Sequence, residues 1–164
     1  RSMSPARSRI YEVRLTFHAP VDFAYRWCTD YGPEDARLEG EKYTRRVLER
    51  SKTRVVYEDL DRTEHGWTWS HASVRLFPPD HWHADVVGNY RSWTLDYRLR
   101  SLGEGGTAFH MRGKRIPSGI GGPNPPKVEF EAQLASMWGN FGRALEADYR
   151  RRRPGRSDRR QRHA

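Results

Sequence analysis

From Arg9 to Phe17 apolar and polar residues alternate, RIYEVRLTF, the period-two pattern of a strand with one buried face. The period then changes. Val21, Tyr25 and Cys28 fall at helical spacing after Pro20, a residue suited to a helix start, and Gly32-Pro33 ends the run. Residues 33–40 have room for one more short helix. Six strand-like runs follow at 42–49, 53–60, 67–77, 81–87, 90–100 and 107–115. Connections this short demand antiparallel neighbours. After a Gly/Pro-rich loop, IPSGIGGPNPP at 116–126, a long helix is expected over 127–150. Its apolar stripe is Phe130, Leu134, Met137, Trp138, Phe141, Leu145 and Tyr149. Ala135, Gly139 and Gly142 form a small-residue track beside it, which suggests that room is needed there.

The order is strand, two short helices, six strands, long helix. It predicts an α+β domain: a curved antiparallel sheet of about seven strands gripping the C-terminal helix, with an internal cavity between them. The domain is expected over 8–150. Residues 1–7 read as an N-terminal extension or expression remnant, and 151–164 as a basic, disordered tail.

Charge supports that division. The net charge of +9 is concentrated in residues 150–164, where eight Arg face one Asp. The remaining body is nearly balanced, which argues against a nucleic-acid surface beyond weak tail contacts. No apolar run approaches the roughly 20 residues of a membrane helix, so no membrane insertion is expected. Cys28 is the only cysteine, which excludes an internal disulfide and a thiolate zinc cluster. These features favour the cytoplasm. GIGGPN at 119–124 lacks the dinucleotide fingerprint, and no cofactor motif is present.

The segment GWTWSHASVRLFPPDHWHADVVGNYRSW, 66–93, holds four of the six Trp. A two-residue turn at Gly88-Asn89 pairs Trp82 with Leu95 and Ala84 with Trp93 on an apolar face. It pairs His81 with Asp96 and His83 with Thr94 on a polar one. His81-x-His83 then faces solvent with no convergent third ligand, and no metal is expected. Trp93, Leu95, Tyr97 and Leu99 run along the inner face, continued by Phe109 and Met111 if Leu99 pairs with Phe109, with His110 and Arg112 outside. Strand 67–77 is ambiguous. A four-residue turn at 78–81 sends Trp67, Trp69, His71 and Arg75 inward, and a three-residue turn at 78–80 sends them out.

HAPVDFAYRWCTDYGPE, with its Ala19-Pro20 pair, Trp27 and Asp30, resembles the START/SRPBCC superfamily, the pollen-allergen-like helix-grip proteins. The resemblance spans about 8–150. GWTWSH and DYRLRSLGEGGTAFHM are similar to polyketide aromatase/cyclases, which have a Trp-x-Trp strand lining the pocket and a later Gly-Gly-Thr turn, here Gly105, Gly106 and Thr107. The resemblance implies a cavity for hydrophobic or aromatic small molecules. It does not select a reaction, since members include cyclases, hydrolases, lipid carriers and plain binders. It favours Trp67, Trp69 and His71 inside, lining a pocket with Trp93, Tyr97, Met111, Trp138 and Phe141. Two Trp left on the convex face would also waste burial worth about 1.5–3 kcal/mol each. The leading expectation is a ligand-binding or carrier protein. The alternative is an aromatase/cyclase-type enzyme, with His71, Tyr57 and Tyr97 as acid–base candidates and Arg75 as the anchor for enolate charge.

Overall fold

The computed structural model describes residues 7–64 and 66–152. The elements are β1 (Arg9–Phe17), α1 (Val21–Cys28), α2 (Asp35–Leu38), β2 (Thr44–Arg50), β3 (Arg54–Thr63), β4 (Gly66–Phe77), β5 (His81–Gly88), β6 (Arg91–Gly103), β7 (Gly106–Pro117) and α3 (Lys127–Arg152). The strands form one antiparallel sheet in the order β1-β7-β6-β5-β4-β3-β2, open at β1 and β2. The meander runs from β2 to β7, and β1 closes onto β7. The expected α+β architecture is therefore present. Residues 1–6 and 153–164, and so most of the expected extension and tail, lie outside the described residues. Arg151 and Arg152, expected in the tail, continue α3. No helix among the described residues is long and apolar enough to cross a membrane.

Period-two burial assigns the inner face. Tyr11, Val13 and Phe17 on β1 are buried, as are Phe109 and Met111 on β7, Tyr97 and Leu99 on β6, and Trp82 and Ala84 on β5. Leu99 pairs with Phe109 as expected. The β5–β6 register differs from expectation by two residues: Trp82 pairs with Tyr97, Ala84 with Leu95, His83 with Asp96 and His81 with Arg98. A shift of two keeps every side chain on its face. Its cause is Asn89. Instead of forming a tight turn, the Asn89 side chain spans the β4 backbone, donating to the Trp67 carbonyl (2.8 Å) and accepting from the Trp69 N–H (2.9 Å).

The C-terminal half of α3 is packed solid. Phe17 and Phe109 lie 5.1 Å apart between ring centres, Trp138 lies 4.5 Å from Phe109, and Leu145 is fully buried. Gly142 lets the helix approach closely here, since a Cβ would sit a tight 3.0 Å from the Phe17 ring. Gly139 faces open space, with only the Arg143 guanidinium near. Of the small-residue track, one glycine answers to packing. The N-terminal half of α3 is tied to β1, with the Glu12 N–H donating to Glu131 (2.6 Å) and Lys127 Nζ donating to the Ile10 carbonyl (2.9 Å), and the cavity lies between this half and the inner face of the neighbouring strands.

Candidate ligand-binding cavity

The cavity has a volume of about 740 Å³, between the inner sheet face and α3. Six of the seven expected lining residues border it, Trp93, Tyr97, Met111, Trp138 and Phe141 along the wall and Trp69 at the rim. Trp138 packs against Tyr97 and Phe141 with centres 5.6 and 5.0 Å away. Trp93 stacks on Phe130 from α3 at 6.1 Å. Gly113 on β7 makes room for this wall. A Cβ there would meet Leu95 Cδ2 at 2.7 Å and the Trp93 ring at 3.0 Å.

Strand β4 faces the other way from expectation. Phe77 pairs with His81 and Leu76 with Trp82, so the turn at 78–80 has three residues. Trp82 is wholly buried, and pairing with it sends Leu76, Val74 and Ala72 inward. Trp67, Trp69, His71 and Arg75 are thereby forced outward. Trp67 is 57% exposed and Trp69, at the cavity rim, 47% exposed. Trp67 lies across from Arg62, whose guanidinium is 5.8 Å from its ring. His71 reaches Glu58 on the outer face (3.4 Å), and Arg75 is exposed there. Neither side chain lines the cavity, so the expected roles of His71 and Arg75 lose their basis. On the same outer face Asp96 lies between His81 (2.7 Å) and His83 (3.5 Å). Burial works to raise the Asp96 carboxyl, but the two imidazoles and Arg98 outweigh it and hold it below the usual range.

The polar chemistry of the cavity sits instead beside the β2 edge, where sequence reasoning placed only Tyr57. Arg45 is the centre. Its side chain is 4% exposed. It donates from Nε and Nη2 to both oxygens of Asp59 (2.8 and 2.9 Å), from Nη1 to Asp35 (2.6 Å), and from Nη2 to the Tyr43 hydroxyl (3.2 Å). Its guanidinium carbon lies 4.1 Å from the centre of the Tyr57 ring. Tyr31 stacks on Tyr57 at 5.1 Å, placed there by a left-handed backbone (φ 51°) just after α1. A non-glycine residue in that region carries strain of the order of 1 kcal/mol.

Glu39 also lines this end. Burial raises its carboxyl to about 7, against the pull of Arg45, and Asp35 is raised by burial to about 6. Burial likewise pushes the Tyr57 and Tyr97 hydroxyls up, so both stay protonated donors. It also raises the Cys28 thiol, which makes a poor nucleophile. Across the sheet, on β7, Arg115 lines the cavity, 4% exposed, and its Nη1 donates to Asn124 Oδ1 at 3.0 Å. Among the described residues no group of three His, Cys, Asp or Glu is placed to hold a metal. The loop before α3 is pinned to its neighbours. Ser118 donates to the Asn89 and Tyr90 carbonyls, and Asn124 Nδ2 donates to the Arg7 carbonyl.

The fold is similar to that of the Zhui aromatase/cyclase from a Streptomyces species, with a TM-score of 0.68 and 14% identity over 91% of this chain and 98% of that one. It is similar to the di-domain ARO/CYC StfQ from the steffimycin biosynthetic pathway, at 0.65 and 13%, over 86% of this chain and 46% of that one. A START superfamily protein from Mycobacterium smegmatis matches at 0.60 and 10%, over 87% and 97%. No family model and no curated protein matches the chain. Identities this low speak to shape alone. An open seven-stranded antiparallel sheet folded onto one long C-terminal helix gives the chain the helix-grip fold that these proteins share.

Proposed function

We propose that the protein binds a hydrophobic, aromatic small molecule in the cavity between the sheet and α3. The observation that carries this reading is the cavity itself: about 740 Å³ walled by Trp93, Tyr97, Phe130, Trp138 and Phe141. Small-molecule pockets run to about 300–1,000 Å³ with mostly apolar walls and a few placed polar groups. Titration of aromatic, polyphenol and lipid panels, followed by native mass spectrometry and tryptophan fluorescence, tests it. A 1:1 complex that quenches the cavity tryptophans and raises the melting temperature is expected. Failure of every compound class to form such a complex sinks the reading.

The Arg45 end favours a second reading, an aromatase/cyclase-type enzyme acting on a polyketide-like substrate. Ring closure and dehydration need a group that takes a proton from carbon, a group that returns one to a leaving hydroxyl, and a counter-charge for the enolate. Glu39, with its carboxyl raised to about 7, is suited to exchange the proton. The Tyr57 hydroxyl, its ring packed against the Arg45 guanidinium, is the hydrogen-bond donor to the enolate oxygen. Loss of general acid–base help costs about 10²–10⁴ in rate. Glu39→Gln should therefore lower turnover of a poly-β-keto thioester at least 100-fold while binding persists. Undiminished turnover in both Glu39→Gln and Tyr57→Phe rejects these roles.

A further inference from the structure

Arg115 belongs to the inward series of β7, after Phe109, Met111 and Gly113, and pairs with Trp93. It is 4% exposed and lines the cavity. Among the described residues its guanidinium has one side-chain hydrogen bond, from Nη1 to the neutral Asn124 amide at 3.0 Å. Among the described residues its Nε is buried with no acceptor, and no carboxylate is paired with it. The guanidinium lies 5.9 Å from the Phe130 ring centre, with Trp93 beside it.

A second cation faces the same place. Arg91 pairs with Pro117, two positions beyond Arg115 on β7, and it too lines the cavity. Two residues so related are diagonal neighbours on one face, about 7–8 Å apart between Cα atoms. Arg91 has the Tyr90 ring at 5.7 Å and, among the described residues, no carboxylate partner. Burial and the Arg91 charge both hold Arg115 below the usual arginine range. A buried cation without a counter-charge, next to a second cation, is unfavourable in an empty cavity. The fold holds it in place regardless, through Asn124 and the ring beneath it.

We propose that Arg115 and Arg91 form an anion-binding end of the cavity, and that the ligand is an aromatic molecule bearing an ionised acidic group, as an aryl carboxylate does. The acidic group supplies the missing counter-charge and accepts from the guanidinium, and the ring system extends along Trp93 and Phe130. Arg115 serves in this way only if the cavity takes a small molecule, as proposed above.

Two probes of one skeleton separate the claims: 1-anilinonaphthalene-8-sulfonate and N-phenyl-1-naphthylamine, which lacks the sulfonate. At fixed ionic strength the anionic probe should bind the wild-type protein at least ten-fold more tightly than the neutral one. Arg115→Gln should reduce that ratio to below three-fold with affinity for the neutral probe unchanged, and Lys114→Gln, on the outer face, should leave the ratio intact. Equal binding of the two probes to wild type overturns the anion end while the ligand-binding reading stands. A ratio unchanged in Arg115→Gln also overturns it, since the preference then comes from general surface charge. Absence of 1:1 binding by either probe overturns both. If Arg115→Gln does not fold, the exposed Arg91→Gln decides: a loss of at least three-fold for the anionic probe alone supports the proposal, and no loss overturns it.

Discussion

Arg45 and Arg115 line one cavity from opposite ends of the sheet, and their surroundings are opposites. Arg45 is held by Asp35, Asp59 and Tyr43 and lies over the Tyr57 ring. Arg115, as deeply buried, has an amide and the edge of an aromatic wall. A buried ion pair is tied into its site: take one member away and the others are left charged and dry. A buried cation held by a neutral amide is the reverse, since its removal leaves no charge behind, only the Asn124 amide oxygen without its donor. The first arrangement holds the edge strand β2 and the short helix α2 against the domain. The second has no carboxylate among the described residues to tie it in, and a ligand role is the better account of it.

The contrast is broken most directly by methionine at each position. Arg45→Met leaves Asp35 and Asp59 unpaired and should cost about 3–5 kcal/mol. Arg115→Met keeps the volume, removes an uncompensated charge, and should change stability by no more than about 1 kcal/mol in either direction. Urea denaturation of the two variants measures both. Equal losses would mean that Arg115 is also bound into the fold.

The two ends should also respond differently to pH. The Glu39 carboxyl is raised from an ordinary 4.5 to about 7, so the native state keeps a proton that the unfolded chain releases. Its contribution to stability is complete below about pH 4.5 and is lost as pH rises through 7. Asp35, raised from 3.8 to about 6, acts in the same sense at slightly lower pH. Unfolding free energy should therefore fall by about 1–3 kcal/mol between pH 5 and 7.5. Glu39→Gln should flatten that slope, and Arg115→Met should leave it unchanged, as followed by thermal melts across the range.

How much of this could be read from the chain depends on the kind of signal. The element order was legible because periods of two and 3.6 alternate cleanly, and Leu99 opposite Phe109 followed from them. The facing of β4 was not, because one residue of turn length at 78–81 reverses every side chain. The buried and wholly internal Trp82 decides it. The Arg45 cluster was hidden because TRRVLER looks like a solvent face. The available signal was a paired alternation, Tyr43-x-Arg45 against Tyr57-x-Asp59, which places a guanidinium and a carboxylate on the side where Tyr57 points. Arg115 needed one further step: the inward series Phe109, Met111 extends through Gly113 to it.

Gly113 offers a smaller test on the Arg115 side. Gly113→Ala drives a methyl group into Leu95 Cδ2 and the Trp93 ring. Leu95 can turn aside, but the indole must shift into the cavity, at a cost of about 1–2 kcal/mol. Binding of the neutral probe should weaken because the cavity narrows, while the Arg45 end and its pH response stay as they are. Unaltered probe affinity would show that the ligand does not rest against Trp93.

The smallest effect separates placement from charge. Asn124 holds Arg115 through Oδ1 and donates its own Nδ2 to the Arg7 carbonyl and, at 3.4 Å, to the Arg115 carbonyl. Asn124→Ala removes all three contacts and should cost about 1 kcal/mol. The informative quantity is the double-mutant cycle with Arg115→Met. If Asn124 serves chiefly to aim the guanidinium, its loss should weaken the anionic probe in the presence of Arg115 and do nothing once Arg115 is gone, while the two stability changes stay nearly additive. If instead the Asn124–Arg115 bond is a structural clamp between β7 and the loop before α3, the coupling should appear in stability and be absent from binding. That outcome would place Arg115 beside Arg45 as a residue of the fold, and the contrast between the two ends of the cavity would disappear.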